Sequence, residues 1–294
     1  MLAEKWECDM KRVKRFLSVA MFLAIVFILF GYPLLFLVSG TIKGNDELNY
    51  LLVPMLESAD RELKWRLLPQ YPTLRHYFRV MIDTPEFWIL FWNSVKIVVA
   101  VMAGQLLVSV PAAWGFAKYR FRGNKILFRV YIFFMLLPFQ AKMLSEYLVL
   151  DKITLLDTHW AIILPGIFST FPVFILYQFF KGIPQEVLES ARLDGAGEWI
   201  IFTKIGIPLA MNGIAAVFIL NFIEYWNIIE QPLVFLKSKN LWPLSMYMPD
   251  VLQNNPGDMF VKIVVTSIPL VVLFLSGQEH LKKGIHIMVA DEKE

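Results

Sequence analysis

The sequence predicts an all-α integral membrane protein with six transmembrane helices. Three observations predict it. The 294 residues are 57% hydrophobic and only 18% charged, against about 45–50% and about 25% in soluble domains. The apolar residues come in blocks of roughly 18–25, the length that crosses a hydrocarbon core of about 30 Å. The basic residues gather in the N-terminal flank and in one connection between blocks.

Lipid offers no partner to backbone N–H and C=O groups, so each block must satisfy its own as a helix. The first block is Phe16–Ser39, the second Val95–Ala117, the third Ile126–Leu150, the fourth Trp160–Phe180, the fifth Ile207–Ile229 and the sixth Phe260–Ser276. The KRVKR run at Lys11–Arg15 would also suit a secretory signal. The apolar stretch after it exceeds the usual core of about 7–15 residues, and no small-x-small cleavage site follows, so a retained span is expected.

Lys/Arg asymmetry orients the spans. The flank 1–15 holds Lys11, Arg12, Lys14 and Arg15, and the connection after the second span holds Lys118, Arg120, Arg122, Lys125 and Arg129 with no acid. Both are expected in the cytoplasm. The order that follows is a cytoplasmic flank 1–15, a first span 16–39 and an extracytoplasmic segment 40–87. A core 88–277 then carries five spans, with a cytoplasmic patch at 184–206, and a cytoplasmic tail 278–294 closes the chain. The outer segment is too long for a plain turn, and its LLPQYPTLRHYF stretch is expected at the membrane interface.

Several chemistries are absent from the sequence. The single cysteine, Cys8, allows no disulfide framework and no cysteine metal site. No glycine is followed by lysine, so there is no P-loop, and His76, His159, His280 and His286 form no H-E-x-x-H pattern. Neither a metal site nor a catalytic constellation is expected, and the chain is not expected to be an enzyme. The net charge of +3 reads as basic loops beside a bilayer rather than as a nucleic-acid interface.

The cytoplasmic patch VLESARLDGAGEWIIFTKIGIP, Val187–Pro208, is too polar to cross a membrane. Pro184 suits a first helical turn, and Gln185, Glu186 and Glu189 follow, the two glutamates being acids that favour a helix N-terminus. Val187, Leu188 and Ala191 are expected to form one apolar face. Asp194-Gly195 predicts a sharp reversal. A second amphipathic stretch follows, and Pro208 is expected to restart a helix into the fifth span. Two readings stand on these residues alone: an interfacial re-entry, or a docking element for a cytoplasmic partner.

The spacing of Glu189-Ser190-Ala191, Gly195, Ile205, Ile207 and Pro208 resembles the E-A-A-x₃-G-x₉-I-x-L-P signature of ATP-binding-cassette importer permeases. Asp194-Gly195-Ala196 is similar to the D-G-A of the carbohydrate subfamily. Ser190, Ile207 and Asn212 depart from the commonest residues there. Asn93-Ser94, AKYRFRG at Ala117–Gly123, Leu137-Pro138-Phe139-Gln140, and Trp226-Asn227 with Pro232-Leu233 also resemble family patterns. The likeness covers about half the chain and is greatest to oligosaccharide permeases like the maltose system's second membrane subunit.

The resemblance implies a coupling helix at 184–206 that docks in a cleft of each ATPase subunit, with Glu189, Ser190, Ala191, Asp194, Gly195, Ala196, Ile205 and Pro208 as its residues. It implies three kinds of partner besides the lipid bilayer: a second, different permease subunit, an ATPase dimer and an extracytoplasmic sugar-binding protein. ATP and Mg would be bound by the ATPase, with no cofactor in this chain.

Ionisable and amide side chains inside spans carry functional suspicion. Gln140 in the third span and Asn221, Glu224 and Asn227 in the fifth are the candidates, the last three at spacings that place them roughly on one helix face. They line a sugar pathway on one reading and bond helix to helix on the other. An importer of another solute is the nearer alternative function, and an ion-coupled secondary transporter the more distant one.

Overall fold

The computed structural model describes residues 17–57, 66–247 and 255–291, all helix, turn or loop. In chain order the helices are α1 (Leu17–Gly40), α2 (Asn45–Glu57), α3 (Arg75–Phe78), α4 (Pro85–Lys118), α5 (Asn124–Leu136), α6 (Phe139–Lys152) and α7 (Trp160–Ile167). They continue as α8 (Thr170–Lys181), α9 (Gln185–Leu193), α10 (Glu198–Leu209), α11 (Met211–Trp226), α12 (Glu230–Phe235) and α13 (Pro256–Asp291). Four stretches are long and apolar enough to cross a membrane, namely α1, α4, Trp160–Lys181 and Pro256–Glu279. Two bent pairs, α5 with α6 at 101° and α10 with α11 at 67°, bring the number to six if each is one span.

Three expected spans differ in shape from the sequence reading. The second starts at Pro85, well before Val95, because PEFWILFW keeps a helical burial pattern: Phe87, Leu90, Ser94, Ile97 and Val101 all face inward. The third is not straight. Pro138 removes a backbone donor and drives Leu137 to an extended ψ of 122°, so α5 ends there and α6 sets off in a new direction. In the fifth, Pro208 lies inside α10 near its end, and the break falls at Ala210, after a π-helical turn at Ile201–Gly206.

The chain divides into two compact units, one of 1–84 and 249–267, the other of 85–248 and 268–294. In the first, His76 belongs to helix α3 rather than to a loop and is 1% exposed. Its Nδ1 lies 2.9 Å from Asp258 Oδ1 and its Nε2 3.0 Å from the Lys43 carbonyl. Arg79 pairs with the same aspartate at 3.2 Å.

The second unit holds the larger core. Trp114 of α4 stands edge-on to Phe180 of α8, ring centres 5.3 Å apart, and 5.5 Å from Phe202 of α10. Leu188 and Ala191 of α9 pack into the same cluster. Crossings are close: a Cβ on Gly213 of α11 would stand 2.3 Å from the Phe179 ring. Small residues at such points let helix backbones approach where lipid supplies no hydrophobic drive.

Candidate functional site

Two features of the second unit carry polar chemistry. One is the turned pair α9–α10. The other is a cleft beside the break between α7 and α8.

The turn of the first is a left-handed helix cap. The Gly195 N–H donates to the Arg192 carbonyl and the Ala196 N–H to the Ala191 carbonyl, both at 3.0 Å, with Gly195 at φ +83°. These are the two crossed bonds of a Schellman motif, with glycine at the residue that must be left-handed. Ala191 and Ala196 are its inner ends, and both pack on the core. A clamp closes the turn from outside. Arg192 Nε donates to Glu198 Oε1 at 2.7 Å, and the Tyr119 hydroxyl donates to Glu198 Oε2 at 2.9 Å. These two donors, Arg192 first, hold the Glu198 carboxyl below the usual carboxylate range. Lys118 Nζ donates to the Ile183 carbonyl at 2.7 Å and ties the start of α9 to the end of α4.

Of the residues singled out in this segment, Glu189, Ser190, Asp194 and Pro208 are exposed, and Ile205 is half-buried against the core. Val187 does not share the apolar face of Leu188 and Ala191; it is 39% exposed. Its neighbours on the outer surface are apolar as well: Leu193 is 90% exposed and Trp199 73%. The segment is thus fastened to the bundle on one side and offers a mixed apolar and acidic surface on the other.

At the opposite end, Asn93 Nδ2 donates to the carbonyls of Asn240 at 2.7 Å and Trp242 at 3.1 Å, and Ser94 Oγ accepts the Leu244 N–H at 2.8 Å. Asp157 accepts from the Lys237 and Ser238 backbones and from the Ser238 hydroxyl, bonds that hold its carboxyl below the usual range, the Ser238 side chain contributing most. The loops there are tied down by side chains near the ends of α4 and α7.

The cleft, about 540 Å³, is lined by residues of α5, α6, α7, the 168–170 break, α11 and α12. Lys142, Ser145, Glu146, Ser169, Thr170, Glu224, Tyr225 and Gln231 supply its polar groups. The four pathway candidates do not gather in it. Glu224 lines it. Asn221 lies behind its wall, 3% exposed, donating to Gln105 Oε1 at 2.6 Å. Gln105 in turn donates to the Gly166 carbonyl at 2.8 Å. Asn227 Nδ2 bonds its own helix at Ile223, and Gln140 Nε2 donates to Glu230 Oε1 at 2.9 Å. Asn221, Glu224 and Asn227 therefore do not share one face. Each step of three residues falls about 60° short of a full turn, so two steps separate the ends by about 120°.

Gln105 and Glu198 were not singled out from the sequence, and Lys118 and Tyr119 stood there only as members of the AKYRFRG connection, with no contact assigned. Glu198 follows Arg192 by six residues, which is no helical spacing, and meets it only because the chain reverses at Gly195.

A family model, the binding-protein-dependent transport system inner membrane component, matches residues 105–287. The chain belongs to this family. It resembles the arabinooligosaccharide transport system permease protein AraQ of Halalkalibacterium halodurans, 29% identical over 87% of this chain and 89% of that protein. It also resembles the lactose transport system permease protein LacG of Rhizobium radiobacter, 31% identical over 71% of this chain and 76% of that one. In fold it is similar to a chain of a bacterial ABC transporter involved in import of the acidic polysaccharide alginate. There the TM-score is 0.76 and the identity 23%, covering 90% of this chain and 95% of that one. As an inner membrane component, this family member has bilayer as the solvent of its apolar helices.

Proposed function

We propose that this chain is the membrane-spanning permease subunit of an ATP-driven importer, and that it carries a sugar or oligosaccharide delivered by an extracytoplasmic binding protein. Relatives named for arabinooligosaccharides and lactose support the substrate class. A likeness to an alginate transporter solved with an oligosaccharide-bound periplasmic protein supports the architecture, at a TM-score of 0.59 and 14% identity. A second permease subunit and an ATPase pair complete the assembly, and ATP with Mg binds on the ATPase.

One observation carries the reading: the motif segment is a rigid knob. Its turn is capped by backbone bonds, its inner face is fused to the core around Trp114, and its outer face is exposed. Such a body moves as a unit with whatever holds it. A shift in the ATPase pair therefore reaches α8 and α11 directly, the rigid-body form of coupling. The spans alternate six times with both termini cytoplasmic. The 184–206 knob lies inside, and the 40–87 segment outside with its exposed Leu68, Tyr71 and Phe78 at the headgroups.

The test is co-purification. Glu189→Ala and Gly195→Val should leave the chain in the membrane, release the ATPase and abolish uptake. Lys204→Gln should be milder. Retention of the ATPase with normal uptake in both of the first two variants would reduce the knob to an interfacial re-entry. A second reading, an importer of an anionic solute, is favoured by relatives named for polygalacturonan/rhamnogalacturonan and for sn-glycerol-3-phosphate, at 29% and 26% identity.

A further inference from the structure

The cleft beside the α7–α8 break has a charge composition that decides between those substrate classes. Its lining holds one lysine, Lys142, against two glutamates, Glu146 and Glu224, with no arginine or histidine. Lys142 Nζ lies 3.8 Å from Glu146 Oε1, one turn along α6. Glu224 enters from α11. The remaining polar lining is hydroxyls and an amide: Ser145, Ser169, Thr170, Tyr225 and Gln231.

Lipid is a poor occupant for such a surface. Ionisable side chains within spanning segments face water-filled cavities or other protein, because hydrocarbon does not solvate them. One helix interruption lines the cleft, Phe168-Ser169 between α7 and α8. Broken helices at membrane depth are tolerated where they line such a cavity.

We propose that this cleft is the chain's share of the translocation pathway, and that its excess carboxylate admits uncharged, hydroxyl-rich saccharides and disfavours those bearing carboxylate or phosphate. The inference rests on the importer reading above. Ionised carboxylates only accept hydrogen bonds, and sugar hydroxyls donate them. Such charge-assisted bonds are short and strong. A uronate or phosphate brings a second anion to the same surface, and like charges at close range reject a partner. Phe168, 61% exposed, supplies a ring face for the apolar side of a sugar.

The field of the cleft can be read without knowing the substrate. Ser145→Cys, in a Cys8→Ser background and the assembled importer, is labelled with a cationic and an anionic methanethiosulfonate of similar size. The cationic reagent should react faster by about tenfold, and the ratio should shrink when Glu224→Gln is added. Equal rates, a faster anionic reagent, or no reaction in a complex that imports would overturn the proposal.

A second arm uses uptake by the same importer. Lactose and arabinobiose are compared with digalacturonate and glycerol 3-phosphate. Import confined to the uncharged pair, falling about tenfold in Glu224→Gln at unchanged complex yield, is the expected result. Import of either anion, or no effect of Glu224→Gln, overturns it. If no member is carried, the labelling ratio decides alone. Failure of the importer reading would appear separately, as loss of the co-purified ATPase with the labelling ratio intact.

Discussion

Asn221 and Glu224 are one helical turn apart and meet different surroundings. Asn221 is locked to Gln105, which also holds the Gly166 carbonyl beside the α7–α8 break. Asn221→Leu would leave a buried acceptor on Gln105 without its donor, at about 1–3 kcal/mol. Complex yield and uptake should fall together, and full yield with lost uptake would put Asn221 in the pathway after all. Glu224 borders the cleft, so Glu224→Gln should instead lower uptake at normal yield. The spacing of these residues was visible in the sequence. Their separate environments were not, since helical rotation, and not spacing, decides which of them turns inward.

The α9–α10 knob was the most legible element. Its Asp-Gly reversal is local chemistry: a left-handed residue costs a non-glycine about 1–2 kcal/mol, and Gly195 stands at φ +83°. A Cβ there meets nothing within 4 Å in this chain. Gly195→Ala should therefore destabilise the turn by about that amount through the backbone alone, read as a partial loss of co-purified ATPase. A loss as complete as that of Gly195→Val would show that the added methyl collides with the partner. The Arg192–Glu198 pair is exposed on both sides, and solvent screening leaves such pairs little to contribute. Glu198→Gln should then reduce ATPase retention less than Gly195→Val does, and an equal loss would make the clamp the main hold on the turn. Because the folded pKa of Glu198 is depressed from 4.5, the clamp is complete above that value and is lost only as pH falls through the lower one. ATPase retention should accordingly be flat across neutral pH, and a titration near neutrality would assign it to another group.

At the scale of the molecule, the proposed six-span order would put Arg120 and Lys204 on the cytoplasmic side and Lys237 on the opposite side. The tertiary contacts sort the same regions: Tyr119 meets Glu198 at one end, and Asp157 meets Lys237 and Ser238 at the other. Cysteines at 120, 204 and 237 in a Cys8→Ser background should label with an impermeant reagent in intact cells only at 237. Labelling at 120 would refute the six-span order.

The sequence by itself determined the membrane class, the approximate spans and the glycine turn, and it supports the proposed sidedness. Each of these follows from properties read along the chain: apolar block length, Lys/Arg counts in connections, and a residue whose backbone tolerates φ > 0. Tertiary structure alone decided which face of each helix is buried, that Gln105 is the partner of Asn221, that Glu198 closes the turn, and which carboxylates border the cleft. Those depend on angular register between helices and on contacts between residues far apart in sequence, such as the 116 positions between Gln105 and Asn221. No one-dimensional pattern encodes them, because a helix rotated by one residue, about 100°, keeps its composition and exchanges every neighbour.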